Sequence, residues 1–272
     1  MKIKNVFPWV IALALMLLTG CGERALKLSL KFNQGDQHQY KLTQDSVTTT
    51  EFMGKKMEMP SKTEISFTQK VEKIDQGVAE LAITYDSFDM KMNVGGKEIP
   101  STMGKSKVGK TDKIKINLNG EIVEPQGMRA MVGLQGLGSD VKNMLLNLYP
   151  KFPEHKIKVG DSWTQKQDLP QSQLGVEVAS QYTFVRREEK NEHKCAVIDS
   201  TISMNFKGGE GAKMNIKGGG KGKGTTYFAY EKGILVESEM EMDIKMSLSA
   251  PLPTGEQEVP TTTHQKIRLS LI

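Results

Sequence analysis

The sequence is poor in the residues that build metal, disulfide and catalytic sites. It contains two cysteines and four histidines among 272 residues, and aromatic residues make up 6%. The histidines are isolated and show no metal-ligand spacing, so we expect no metal centre. Ser162 follows Asp161, but no histidine lies nearby and no Gly-x-Ser-x-Gly motif is present. The sequence therefore predicts a protein without catalytic activity, and a hydrolase is the weaker alternative.

No strong charge of one sign and no long apolar run is present either. Lys and Arg number 37 against 32 Asp and Glu, and the lysines are dispersed without interleaved aromatics. This pattern does not favour a nucleic-acid partner. The one apolar run, Val6–Leu18, has 13 residues, whereas a membrane-spanning helix needs roughly 20. We therefore expect neither a nucleic-acid-binding protein nor a helical membrane span.

The N-terminus has the layout of a secretory signal. Lys2 and Lys4 precede the apolar run, and two small residues precede Cys21. The stretch Leu18-Thr19-Gly20-Cys21 resembles the lipobox of bacterial lipoproteins. This resemblance implies cleavage between Gly20 and Cys21 and a lipid such as palmitate on Cys21. An ordinary cleaved signal with an incidental cysteine is the alternative.

The resemblance also sets expectations for location and cofactors. Acyl chains on Cys21 would anchor residues 21–24 to the membrane, because two or three chains bind far more firmly than one. Gly22 follows the cysteine, which in Gram-negative lipoproteins resembles the pattern sent to the outer membrane, facing the periplasm. The covalent lipid is then the only expected cofactor. Cys195 would be the only cysteine left, so no disulfide within the chain is expected.

Period-two alternation of apolar and polar residues predicts strands over most of residues 25–272. Asn119-Gly120 is a strong hairpin signal, because both residues tolerate positive φ. The period changes near the middle, where Ser139 can cap a helix whose apolar stripe is Val141, Met144, Leu145 and Leu148. The predicted fold class is therefore mainly β (α+β). We expect an antiparallel, curved sheet of two similar meander halves joined by a helical connection over 127–155.

The two predicted halves cover about 25–126 and 156–272. Gly35-Asp36 in the first half recurs as Gly160-Asp161 in the second. With the Val-Gly-Asp-Ser-Trp element at 159–163, this arrangement resembles a group of uncharacterised envelope lipoproteins. At the level of fold it also resembles the open half-barrels that hold lipids in cell envelopes.

A glycine-rich run at 218–224 does not match a phosphate-binding loop. The Gly-x-x-x-x-Gly-Lys-Ser/Thr spacing is absent, and a strand rather than a helix is predicted to follow. The composition favours a surface loop.

Methionine is the unusual residue, since fourteen of the sixteen lie after Cys21. Pairs spaced by two share one strand face. Methionine fills irregular cores, lines cavities for flexible apolar ligands, or binds Cu(I) through its thioether; the sequence leaves all three open. The predicted ligand-lining residues are Met90, Met92, Met204, Met240 and Met242.

The function expected from these patterns is that of a membrane-anchored envelope lipoprotein that binds a lipid-like or other apolar ligand. The alternative is a structural or assembly lipoprotein that presents a protein-interaction surface and has no small ligand.

Overall fold

The computed structural model describes residues 24–52, 54–100, 106–123, 149–169, 176–206, 215–252 and 255–272. About three quarters of these residues lie in eleven strands that form a single sheet. The strands are β1 (Gln37–Phe52), β2 (Lys55–Asp75), β3 (Val78–Val94), β4 (Lys97–Pro100), β5 (Thr111–Asn117), β6 (Ser162–Leu169), β7 (Val176–Lys190), β8 (His193–Phe206), β9 (Asn215–Ala229), β10 (Ile234–Leu252) and β11 (Gly255–Leu271).

The sheet is antiparallel throughout, with the order β4-β3-β2-β1-β11-β10-β9-β8-β7-β6 and β5 beside β3. Most strands that follow each other in the chain are neighbours, because short turns favour antiparallel pairing. β5 differs, since it pairs with β3 and with neither β4 nor β6. At the centre of the sheet, β1 runs against β11 from Tyr40–Leu271 to Thr50–Thr261. This pairing joins the first and last strands of the chain.

One end of the sheet, which we call the lower end, carries the turns at Gly35, Gly77, Gly160 and Gly233. The upper end carries the turns after β1 and β3. Alternate residues of each strand point to an inner face and an outer face. The inner face of the lower half carries the main core, which includes Tyr40, Phe67, Phe184 and Phe228, all at most 1% exposed.

Two non-strand segments complete this core. Residues 24–33 contribute Leu28 and Leu30, and residues 149–157 contribute Tyr149, Phe152 and Ile157. Each segment docks on a turn of the other half of the chain: the Lys31 amide donates to the Gly233 carbonyl, and the Phe152 amide donates to the Asn119 carbonyl. Leu28 and Leu30 are therefore buried and Leu26 is partly buried, but they lie in a crossing segment and not in a strand of the sheet as the alternation predicts.

The two Gly-Asp turns make the same hydrogen bonds. The Gly35 amide donates to the Val71 carbonyl at 2.9 Å, and the Gly160 amide donates to the Phe184 carbonyl at 2.7 Å. Val71 and Phe184 also stand at matching register shifts, between β2 and β3 and between β7 and β8. The two turns are therefore equivalent in their hydrogen bonding and in the register shift beside them.

The predicted class, α+β with a central helix, is wrong for the described residues, which form an all-β structure without a helix. The described end of the predicted connection, 149–155, is irregular, since Pro150 and Pro153 cannot supply helical amide donors. The predicted helical stripe itself falls within 124–148, outside the described residues. In the described part of the chain no helix is long and apolar enough to span a membrane.

The glycine-rich run also differs from its prediction. Residues 218–224 lie in the middle of β9 and pair with both β8 and β10. Backbone hydrogen bonds to the strands on both sides hold this run extended. The glycines are therefore explained by the side chains of the neighbouring strands and not by a loop.

A candidate ligand-binding face

Above the core, the inner face of the sheet carries no charge over eight adjacent strands, β7-β8-β9-β10-β11-β1-β2-β3. Three rows of residues cross these strands in register. We call them the neutral face. The lowest row is Tyr182, Ser200, Gly224, Met240, Ile267, Gln44, Thr63 and Met90; the middle row is Ser180, Ile202, Gly222, Met242, Gln265, Ser46, Ser61 and Met92; the highest row is Val178, Met204, Gly220, Ile244, Thr263, Thr48, Met59 and Val94.

The centre of the neutral face is polar and is held by hydrogen bonds between side chains. Ser46 and Ser61 hydroxyls are 2.8 Å apart, and Thr48 and Thr263 hydroxyls are 3.1 Å apart. The Gln44 Nε2 donates to Gln265 Oε1 at 3.2 Å. Gln44 Oε1 has no partner although the side chain is only 6% exposed, which is uncommon for a buried acceptor.

The predicted ligand-lining methionines all lie on this face, but in two groups. Met204, Met240 and Met242 are close together and line one cavity of about 50 Å³. Met90 and Met92 lie on β3, with β2, β1 and β11 between them and the first group. The structure therefore brings three of the five predicted residues to one place.

The cavity lies where β8 and β10 flank the glycine positions of β9. Room for a few water molecules is all that its volume provides. The sequence did not predict most of the residues that line this cavity. The alternation of glycine with lysine at 221 and 223 is nevertheless a period-two signal that could have identified a strand here. The remaining lining residues are Tyr149, Lys151, Gln165, Val178, Ser180, Tyr182 and Ile202.

The polar groups at the lower end of the cavity are a cation and two phenols. Burial lowers the pKa of the Lys151 ammonium. Burial raises the pKa of both Tyr149 and Tyr182, so both phenols stay protonated at neutral pH. The Tyr149 hydroxyl donates to Gln69 Oε1 at 2.7 Å.

Other candidate residues lie away from this cavity. Cys195 is fully buried among outer-face residues, and burial raises the pKa of its thiol to about 11, which keeps it protonated. Asp161 accepts a hydrogen bond from the Lys158 amide at 2.8 Å, and Ser162 bonds Thr183 at 2.8 Å, so both stabilise a turn and a strand start. Gly20 and Cys21 lie outside the described residues.

Within the described ranges, no group of three or more His, Cys, Asp or Glu side chains is placed to hold a metal ion.

No protein-family model and no curated protein matches this chain. Among solved structures, lipovitellin, in a study of its lipid–protein interactions, aligns with a TM-score of 0.48 and 12% identity. That alignment covers 89% of this chain but 25% of lipovitellin, so the chain spans about a quarter of its length.

Two bacterial proteins are also similar at lower scores. A protein described as exported, with a YmcC-like fold, from Bacteroides fragilis has a TM-score of 0.24 and 12% identity over 88% of this chain and 98% of its own. A DUF1329 family protein from Desulfovibrio piger has a TM-score of 0.17 and 11% identity over 83% of each chain. No functional argument rests on similarities this distant.

Proposed function

We propose that this protein is a membrane-anchored lipoprotein of the bacterial cell envelope that binds a lipid-like or other apolar ligand without catalysis. The neutral face carries this proposal. Twenty-four inner-face positions in eight strands lack a charge, although charged residues occupy many outward positions of the same strands. An uncharged surface with methionine on both sides suits an apolar molecule, because burying charge against it would cost several kcal/mol.

The anchor is proposed from the sequence, and the fold is compatible with it. Arg24, three residues after Cys21, is held at the lower end of the sheet, where its carbonyl accepts a hydrogen bond from the Arg187 guanidinium. Acyl chains on Cys21 would therefore hold the lower end near the membrane, and in a Gram-negative cell this is the outer membrane, facing the periplasm.

The anchor is tested with Cys21→Ser in cells fed labelled palmitate. We expect the label in the wild-type protein and none in the variant. Equal labelling of both chains would contradict the anchor.

Ligand binding is tested by titrating the mature protein with a fluorescent fatty acid. Trp163 is the only tryptophan after residue 21, it is 8% exposed, and its ring is stacked 5.4 Å from that of Tyr182, which lines the cavity. We expect saturable binding with a change in Trp163 emission and a negative heat-capacity change. No saturable binding of any apolar probe would contradict a ligand-binding function.

The alternative is a structural or assembly lipoprotein that binds another envelope protein. The small volume of the cavity favours it, as do exposed apolar side chains at the upper end, where Met57 and Ile99 are each 51% exposed and Val94 is 38% exposed. Failure to bind any apolar probe would leave this alternative.

A further inference from the structure

Two segments outside the strands of the sheet meet at the lower end of the molecule. Residues 24–33 contact residues 149–158 at a bridge in which Leu26 and Ile157 exchange both backbone hydrogen bonds, each 2.8 Å long. Ile157 is 1% exposed, and Leu26 packs on the main core. Because neighbouring residues of an extended chain point in opposite directions, the residues on either side of the bridge face away from the core.

The positions beside the bridge carry a concentration of positive charge. Lys27, Lys156 and Lys158 occupy outward positions, and Arg24 is exposed at the end of the same segment. We call these four residues the basic patch. Lys27 and Lys156 are opposite each other one residue beyond the bridge, where two like charges repel. The two segments contain six Lys and Arg against one acid, Glu154, whereas the whole chain has 37 against 32.

The four cations of the patch have no acidic partner in the part of the chain that the structure describes. Lysines on the outer face of the sheet are often neutralised by an acid on the next strand, as Lys41 is by Glu64 at 3.0 Å. Asp161 lies beside Lys158, but its carboxylate accepts a hydrogen bond from the Lys158 backbone amide and not from the ammonium. Exposed cations that lie side by side without partners attract an external anion.

The proposed lipid anchor determines which anions lie close to the patch. Cys21 precedes Arg24 by three residues, and three residues of chain span at most about 11 Å. The Arg24 carbonyl accepts a hydrogen bond from the Arg187 guanidinium at the lower end of the sheet. At physiological salt, attraction between exposed charges extends about 8 Å. The short tether therefore brings the patch within range of the headgroups of the membrane.

We propose that the basic patch is a membrane-contact surface that binds the anionic headgroups of phospholipids such as phosphatidylglycerol. The acyl chains on Cys21 attach the protein to the bilayer, and the patch orients it with the lower end of the sheet against the membrane. This inference deepens the proposed envelope function, and the orientation rests on the proposed anchor. Headgroup binding itself is measured without the acyl chains.

The first test uses the mature protein purified without acyl chains and vesicles of phosphatidylcholine with or without phosphatidylglycerol. Each Lys or Arg near an anionic surface should strengthen binding about fivefold. We expect the wild type to bind the anionic vesicles and not the neutral ones. Binding should disappear at about 1 M salt, where attraction extends only about 3 Å.

A matched pair of double variants locates the binding surface. Lys27→Gln with Lys156→Gln removes two charges of the patch and should lower the affinity for anionic vesicles about 25-fold. Lys217→Gln with Lys221→Gln is the control, because both lysines are exposed on the outer face in the upper half of β9. The control has the same net charge as the patch variant and should bind as the wild type does.

The orientation is tested on the lipidated protein in vesicles that contain phosphatidylglycerol. A water-soluble reagent that acylates exposed amines is added, and the modified peptides are measured by mass spectrometry. Lys156 and Lys158 should react more slowly than in the unacylated protein in solution, because headgroups cover them, whereas Lys217 should react at the same rate in both. Unchanged rates at Lys156 and Lys158 would contradict the orientation.

The outcomes separate the patch from the anchor. If Cys21 takes up no palmitate but the wild type binds anionic vesicles and the patch variant does not, the anchor is wrong and the patch alone contacts the membrane. If the wild type does not distinguish the two kinds of vesicle, or if patch and control variants lose affinity equally, the patch is wrong. If the wild type binds poly-glutamate but no vesicles, the partner is an acidic protein and the membrane assignment is wrong.

Discussion

The inner and outer faces of the sheet use the same strands for different purposes. On β1 the inward residues Leu42, Gln44 and Ser46 are buried and neutral, whereas the outward neighbours Lys41 and Asp45 are exposed. Lys41 pairs with Glu64 of β2 at 3.0 Å on the outer face. Charge is thus kept on one side of a strand by its period of two, and the other side is left free for a core or a ligand.

The outer face also contains one buried charge, and its environment differs from anything on the neutral face. Glu237 is 6% exposed and accepts a hydrogen bond from Arg268 at 2.7 Å, while Lys190 also contacts it. The Lys190 Nζ lies 3.8 Å from the centre of the Tyr227 ring. A buried carboxylate is tolerated here because two cations compensate it, whereas no described cation reaches the centre of the neutral face.

The largest expected effect comes from placing a charge on the neutral face. Met90 is 3% exposed, so Met90→Glu buries a carboxylate without a partner and should lower the free energy of unfolding by about 3–5 kcal/mol. Urea denaturation of the two proteins measures this difference. Lys91→Glu, at the neighbouring position on the other face, removes an exposed ion pair with Glu98 and should change stability by no more than about 1 kcal/mol.

Met204→Glu sharpens the same test, because Met204 is partly exposed beside the cavity. If water reaches the cavity, the Met204→Glu protein should still fold and should lose less free energy of unfolding than Met90→Glu does. Equal losses would indicate that the whole face is a filled core.

An intermediate effect is expected from removing the buried charge of the outer face. Burial opposes ionisation of Glu237, but hydrogen bonds from Arg268 and Lys190 outweigh it and lower its pKa. Glu237→Gln should lower the free energy of unfolding by about 1–2 kcal/mol. The loss is modest because Arg268 is half exposed and solvent screens its interaction with Glu237.

The pH dependence of this difference checks its origin. Because the folded-state pKa lies below the ordinary value of 4.5, the stabilisation is complete above that pH and disappears as pH falls through the folded pKa. The stability difference between wild type and Glu237→Gln should therefore be constant near neutrality and should disappear in acid. A difference that persists unchanged in acid would exclude the ion pairs as its cause.

The smallest effect concerns the hydroxyl pair in the centre of the neutral face. Thr48→Val or Thr263→Val alone leaves one buried hydroxyl without its partner and should cost about 1 kcal/mol. The double variant should cost less than the sum of the two single variants, because no unpaired hydroxyl remains. Additive losses in a double-mutant cycle would show that the two hydroxyls do not depend on each other.

Local sequence patterns predicted the strands and several turns well. The hairpin signal at Asn119-Gly120 matches a turn in which Gly120 has a φ of 84°, and Gly35 and Gly160 take positive φ at the two Gly-Asp turns. The outward direction of Glu237, Glu239 and Glu241, opposite Met240 and Met242, also follows from the period of two, but Glu237 is buried on that face and not exposed as the alternation predicts. These features depend on a few neighbouring residues, and such residues are visible in the sequence.

Glycine composition was a poor guide, for a physical reason. A run such as 218–224 has few side chains, so its sequence shows no clear period of hydrophobicity. A loop and a strand then give the same sequence pattern. Pairing with β8 and β10 resolves this ambiguity, since only the neighbours show that methionines fill the space above the glycines.

By itself the sequence determined the lipobox-like N-terminus, the β-rich character of the chain and the side of each strand that avoids charge. Tertiary structure decided that β1 pairs with β11 and that methionines of β8 and β10 meet over β9. It also placed Lys151, which follows no periodic pattern, in the lining of the cavity. Alternation is a local property of the chain, whereas the choice of partner strand depends on contacts between residues far apart in sequence, such as Tyr40 and Leu271, which no local pattern specifies.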